Sequence, residues 1–182
     1  MNLLIGREFE LSDGATVKVK MAQTTDYNGG AYERLYRWLC EVDDYLMMRF
    51  DAYSMEDMKK RWLASIGPGH IVLIAMDDGD IVGQLSIMMH DPRSRAAHTA
   101  TLGIAIHPEY QRRNLGTVLC TLAEELVCER GVEKLECSYF EGSGTGALTR
   151  KLGYFEEGRR EKRGKLDSGE YVDEVLVAKF LD

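Results

Sequence analysis

Several features are missing from this chain, and each absence excludes a class of protein. No apolar run approaches the ~18 residues of a membrane-spanning helix, and Arg7, Glu8 and Glu10 fall where a secretory leader needs an uninterrupted apolar stretch. A cytoplasmic protein without a membrane partner is therefore expected. Basic charge is also short, since 23 Lys and Arg against 30 Asp and Glu leave a formal net charge of −7. That balance disfavours a general nucleic-acid binder, which needs a basic footprint to release counterions from phosphates. Small cationic or neutral partners fit it better. The four cysteines, Cys40, Cys120, Cys128 and Cys137, include no CxxC pair, and His70, His90, His98 and His107 show no HxxxH or HExxH spacing. No metal site is expected, and the thiols read as reduced packing residues, buried Cys behaving as a small hydrophobe. With 182 residues and 45% hydrophobic composition the chain can bury one core but falls short of two comfortable domains, so a single domain over 1–182 is expected.

Hydrophobic periodicity then orders the chain. Residues 7–11 and 16–21 alternate around Ser12-Asp13-Gly14 and predict an N-terminal hairpin, because Gly accepts positive φ at the turn. Asp26 can cap a helix whose Tyr32, Leu35, Tyr36 and Leu39 share one face. Ser54 with Asp57 starts a second helix carrying Met55, Met58, Trp62 and Ile66, which Gly67-Pro68-Gly69 stops. Two β-branched runs, 70–76 and 81–90, flank Asp77-Asp78-Gly79-Asp80 as a central hairpin, and a third strand follows over 97–106. The period changes at Leu115, with Val118, Leu119, Leu122, Leu126 and Val127 at helical spacing until Arg130-Gly131. A strand at 134–140, a short helix at 145–152 closed by Gly153, and two long strands around Asp167-Ser168-Gly169 complete the order. Crossovers long enough for parallel pairing run only through helices, so an α/β (α+β) fold is expected, with a mixed, mostly antiparallel twisted sheet flanked by helices.

The stretch that carries chemistry is Leu102-Gly103-Ile104-Ala105-Ile106-His107-Pro108-Glu109-Tyr110-Gln111-Arg112-Arg113-Asn114-Leu115-Gly116-Thr117, a strand entering a tight loop and then an amphipathic helix. The first N–H groups of a helix have no internal partner, and the helix dipole adds partial positive charge there, so this geometry suits a pyrophosphate. Gly116 lets a phosphate approach the backbone, and Arg112 and Arg113 can add charge-assisted contacts. The chain has no GxGxxG and no GKS or GKT, which sets it apart from common nucleotide binders.

These residues resemble the GCN5-related N-acetyltransferase superfamily, whose signature is Gln or Arg, two variable residues, Gly, one variable residue, then Gly or Ala. Gln111 and Gly116 match at the right spacing, whereas Asn114 stands where the family usually has its first glycine. Asn is the non-glycine residue that most readily accepts a left-handed backbone. The resemblance extends in element order from about Thr16 to the C-terminus, and Lys151-Leu152-Gly153-Tyr154-Phe155-Glu156-Glu157-Gly158-Arg159 and Tyr171-Val172-Asp173-Glu174 are similar to the family's C-terminal portion.

The resemblance implies direct transfer of an acetyl group from acetyl-CoA to a primary amine of a small molecule or protein, in a ternary complex. It implies that the strand ending in Ile104, Ala105 and Ile106 splays from its neighbour and binds the pantetheine arm. It assigns the loop and helix start from Gln111, Arg112, Arg113, Asn114, Leu115, Gly116 and Thr117 to the pyrophosphate, with Leu148 beside the cofactor. Glu136 takes the position of the carboxylate base used by some members, and Glu41, Asp43 and Asp44 lie on the acceptor side. The tyrosine general acid common in the family is replaced by Thr149, with Tyr139 and Tyr154 as substitutes, and the family's usual Asn is replaced by Glu141-Gly142-Ser143-Gly144. Thr149 and that loop motivate a second reading, a non-catalytic acyl-CoA-binding or sensing module, and a third is a structural protein that keeps the fold alone. The exposed edges of the C-terminal strands offer a route to a homodimer.

Overall fold

A computed structural model describes residues 5–42 and 45–181. The chain folds as β1 (Arg7–Glu10), β2 (Thr16–Met21), α1 (Ala31–Glu41), α2 (Met55–Ser65), β3 (His70–Asp77), β4 (Asp80–Met89), β5 (Thr99–Ile106), α3 (Leu115–Cys128), β6 (Lys134–Phe140), α4 (Thr145–Lys151), β7 (Phe155–Lys165) and β8 (Tyr171–Phe180). The strands form one sheet in the order β1-β2-β3-β4-β5-β6-β8-β7. Every neighbouring pair is antiparallel except β5 with β6, the pair joined through α3. This is the mixed, mostly antiparallel sheet that the order of periodic segments predicts.

Helices cover both faces. On β3, Ile71, Leu73 and Ala75 pack with Leu115, Leu119, Leu122 and Leu126 of α3, while Val72 and Ile74 pack with Leu35, Trp38 and Leu39 of α1. A strand buried on both sides reads as a continuous apolar run rather than an alternating one, which is why residues 71–75 are Ile-Val-Leu-Ile-Ala. Leu73, Leu85, Leu119 and Leu135 are fully buried, each contributing roughly 1.5–3 kcal/mol through area removed from water. Trp38 is fixed by a 3.0 Å bond from its Nε1 to the carbonyl of Ile81, which locks α1 onto β4. β7 contrasts with this core: it is an edge strand, largely exposed, and its charged run from Glu156 to Arg163 guards that edge against pairing with another chain.

Three expectations require correction. The first helix starts at Ala31, not after Asp26, because Gly29 and Gly30 hold φ of 60° and 84° and interrupt any run from Asp26. Asp26 instead closes a 3₁₀ turn, accepting from the Gln23 amide at 2.8 Å, and pairs with Lys20 at 2.7 Å. Of the four cysteines only Cys120 and Cys137 are buried; Cys40 and Cys128 lie at exposed helical positions. Of the two C-terminal strands only β7 is an edge, since β8 is inserted between β6 and β7. Among the described residues no helix is long and apolar enough to cross a membrane, and no cluster of three or more His, Cys, Asp or Glu is gathered for a metal.

Candidate active site

The site begins with a fork between the two parallel strands. β5 pairs with β6 from Thr99↔Lys134 to Leu102↔Cys137 and no further. Beyond that point β5 continues to Ile106 along β4, and β6 continues to Phe140 along β8, so each strand follows its outer partner. The edge of residues 103–106 that faces β6 is left outside the ladder. Backbone groups in that position seek a partner, and one is supplied internally, where Gln111 Nε2 donates to the Ile106 carbonyl at 3.1 Å. A small apolar cavity lies on the α3 face of the fork, walled by Leu102 and Ile104 of β5, Cys137 of β6, Cys120 of α3, and Leu148 and Thr149 of α4. Burial pushes the thiols there out of reach of ionisation near neutral pH, Cys120 up to about 12 and Cys137 up to about 11, so neither is a nucleophile.

The entrance to α3 lies at the open end of this fork. Arg112 and Asn114 both adopt positive φ, 58° and 73°, which turns the chain sharply before Leu115. The first intrahelical bond runs from the Val118 amide to the Asn114 carbonyl at 3.1 Å. The amides of Leu115, Gly116 and Thr117 precede it and, among the described residues, donate to no backbone carbonyl. Gly116 is also a packing requirement, since a Cβ there would meet Leu148 Cδ2 at 3.0 Å and Ile106 Cδ1 at 3.2 Å. That close approach brings α3, α4 and β5 together at the same point.

The charges around this entrance are arranged by tertiary partners. Arg113 turns to the N-terminal hairpin: its Nη1 pairs with Asp13 at 3.1 Å and its guanidinium stacks over Tyr110 at 5.2 Å. Arg112 is exposed and, among the described residues, makes no ion pair. Lys151, at the last turn of α4, reaches across to donate to Asn114 Oδ1 at 2.9 Å and Thr117 Oγ1 at 3.1 Å, setting an ammonium beside the free amides. Sequence spacing gave no sign of this cation, because it arrives through tertiary packing from another helix. Three unpaired amides, a positive helix end and a lysine form an arrangement that fits a pyrophosphate.

On the opposite, α1 face, a cleft of about 570 Å³ lies between the end of α1 with the segment after it and the β7–β8 hairpin. Glu41 and Arg49 come from the first wall, Arg163, Lys165 and Asp167 from the second, and Phe140, past the fork on β6, from its floor. Glu41 is therefore at the cleft, while Asp43 and Asp44 lie outside the described residues. The Glu141-Gly142-Ser143-Gly144 loop adjoins this side: Gly142 has φ 97°, and a Cβ on it would meet the Tyr45 ring and hydroxyl at 3.0–3.3 Å.

Of the groups considered for proton transfer, Glu136 faces away from buried Leu135 and Cys137, opposite Thr101 in the paired part of the fork. Its carboxylate accepts from Lys134 Nζ at 2.9 Å, and Lys134 also pairs with Glu157. Thr149 is buried, and its Oγ1 bonds back to the Thr145 and Gly146 carbonyls at 3.0 and 3.3 Å, which commits its proton to the helix. Burial raises the Tyr154 hydroxyl far above its ordinary value, and its side chain lines the same apolar cavity as Ile104 and Leu148. Tyr139 is half-buried past the fork on the α4 side, its ring laid on Gly146, where a Cβ would come within 2.8 Å of it.

Comparison with known proteins assigns a class to this strand fork beside a bare helix entrance. Residues 32–154 match the model of the acetyltransferase (GNAT) family, and the chain belongs to that family. It is 31% identical over 114 residues to the L-amino acid N-acetyltransferase AaaT of Escherichia coli K12, covering 62% of this chain and 69% of that protein. A GNAT-family acetyltransferase structure from Streptococcus pneumoniae superposes with a TM-score of 0.74 at 24% identity, over 91% of this chain and 99% of that one. A phosphinothricin acetyltransferase from Sinorhizobium meliloti in complex with acetyl-CoA superposes with a TM-score of 0.75 at 17% identity, over 91% and 88% of the two chains. These superpositions establish the fold.

Proposed function

We propose that the chain transfers an acetyl group from acetyl-CoA to a primary amine by direct attack in a ternary complex. The observation that carries this is the fork: pairing ends at Leu102 and Cys137 while both strands run on, with the bare amides of α3 on one side and a cleft on the other. In this reading the pyrophosphate takes the amides of Leu115, Gly116 and Thr117, with Asn114 shaping the turn and Gln111 bracing it. Lys151 and Arg112 supply charge, whereas Arg113 acts by holding the loop to the N-terminal hairpin. Pantetheine lies along Ile104, Ala105 and Ile106, whose free edge offers main-chain donors and acceptors, and Leu148 packs beside it. A main-chain N–H there polarises the thioester carbonyl.

The acceptor enters from the α1 face. Its nitrogen must be neutral to attack, and a lysine-like amine of pKa ~10.4 is neutral in roughly one molecule in a few thousand at pH 7. A base therefore helps, and Glu136, directly or through water, is assigned that role. The amine nitrogen bonds to the carbonyl carbon, the C–S bond breaks, and the amine's surplus proton passes to the base. A thiol of pKa near ~8.5 departs as thiolate with little assistance, so the loss of a tyrosine at the Thr149 position is tolerable, and Tyr139 is assigned to protonate the thiolate. The second reading, acyl-CoA binding without transfer, draws on the internally bonded Thr149 hydroxyl.

Calorimetric titration with acetyl-CoA, followed by thiol release with polyamines, amino acids and N-terminal peptides, separates the readings. Binding with acceptor-dependent thiol release is expected. Binding without release from any acceptor establishes the second reading, and absence of binding overturns both.

A further inference from the structure

We propose that the acceptor is an amine that also carries a carboxylate, an amino acid rather than a polyamine or a plain alkylamine, and that Arg163 is the specificity-determining residue that holds this carboxylate in the cleft. The proposal rests on the transferase reading and deepens it. It starts from an irregularity in β7. Between Arg160↔Glu174 and Gly164↔Val172 the register shifts, β7 advancing four residues while β8 advances two. The surplus is accommodated by Lys162 at φ 51°, whose amide donates to Asp173 Oδ1 at 2.8 Å. Such a bulge re-aims side chains, and here it delivers Arg163 to the wall of the cleft.

Glu174 holds that arginine in place. Its side chain is only 3% exposed, and it faces two guanidinium groups, Arg160 Nη1 at 3.0 Å and Arg163 Nε at 3.6 Å. One carboxylate between two guanidinium groups leaves one positive charge over. The contact uses Nε of Arg163, and among the described residues its terminal nitrogens enter no ion pair, on a side chain 60% exposed. A planar guanidinium fork matches a carboxylate with two parallel bonds, which an ammonium cannot do.

The remaining charges of the cleft sharpen the selection. Arg49 is occupied by Asp51 and Asp167, each at 3.1 Å. Lys165 makes no ion pair among the described residues and lies over the Tyr171 ring at 5.3 Å, beside Arg163 on the same wall. Glu41, on the α1 wall, likewise has no ion-pair partner among the described residues. The cleft thus offers cations from one wall and a carboxylate from the other, a match for a zwitterion, with apolar Leu39 and Phe140 between them for an uncharged side chain. Gly164 preserves that space, because a Cβ on it would meet Phe140 Cε1 and Val172 Cγ2, each at 2.8 Å.

The test compares L-leucine and L-valine with their amides and with 3-methylbutylamine, following thiol release from acetyl-CoA. The wild-type chain is expected to favour the free amino acids over the amides by about ten- to a hundredfold in kcat/KM, the worth of a charge-assisted contact. Arg163→Gln should raise the amino-acid KM by a similar factor with kcat and the acetyl-CoA KM nearly unmoved, and Arg163→Lys should recover part of it. Amides used as well as the free acids, or an Arg163→Gln variant with an unchanged preference, would overturn the proposal while leaving the transferase reading intact. Acetyl-CoA binding without thiol release from any acceptor overturns both.

Discussion

On the α3 face of the fork the groups free to meet a ligand are main-chain amides of Leu115, Gly116 and Thr117, whereas on the α1 face they are side chains of Glu41, Arg163 and Lys165. Main-chain donors are the same whatever the residue, so the first arrangement survives wide sequence change provided the backbone can turn at Asn114 and the helices can close over Gly116. Side-chain donors change with every substitution, so the second can be retuned without disturbing the fold. The first region suits what a family holds in common, and the second what distinguishes one member from another.

That contrast can be broken or sharpened by experiment. The largest effect is expected from Lys151→Glu, which replaces the ammonium bonded to Asn114 and Thr117 at the α3 entrance with an anion facing those amides. Calorimetry should show acetyl-CoA affinity falling by about ten- to a hundredfold, with thermal stability little changed because the side chain is exposed. Equal affinity would mean that the amides act alone or that the cofactor lies elsewhere. A smaller effect, about tenfold in turnover at pH 7, is expected for Glu136→Gln, below the ~10²–10⁴-fold that a fully committed base contributes because Glu136 is already shared with Lys134. Part of that loss should return at higher pH, where more acceptor is already neutral; a pH–rate profile identical to wild type removes Glu136 as the base.

The smallest effect concerns stability. Burial alone would raise the Glu174 carboxyl, but hydrogen bonds from Ser138 and Arg160 outweigh it and hold the group below its ordinary value. A depressed native value means that the stabilisation is fully present above the unfolded value of about 4.3 and is lost as pH falls through the native one. Glu174→Gln should therefore lower stability at pH 7 by about 1–3 kcal/mol and flatten the acid limb of a denaturation series. An acid limb as steep as wild type would show that the two arginines do not depend on this carboxylate.

Much of the backbone at the α3 entrance was legible because its determinants are local. The change of period at Leu115, the αL-tolerant Asn114 and the stop at Gly131, which takes φ 77°, all act within a few residues of the feature they create. Continuous apolar runs likewise marked β3 and β4 as central strands. What escaped was determined by distance along the chain or by competition between neighbours. Lys151 meets Asn114 across 37 positions, and no periodicity encodes such a meeting. Arg113 pairs with Asp13 of the N-terminal hairpin, a meeting that no local pattern foretells. The bulge in β7 lies in a run of exposed charges, where alternation has no buried face to reveal a slip of register. Asp26 has a helix-capping side chain, yet the two glycines after it delay the helix to Ala31.

The Arg49–Asp167 pair joins the two walls of the cleft near its rim, and both side chains are more than half exposed. A tie of that kind is worth no more than ~1 kcal/mol, and dissolved ions weaken it further. Rising ionic strength should therefore loosen this tie between the walls at the same time as it weakens the hold on a charged guest.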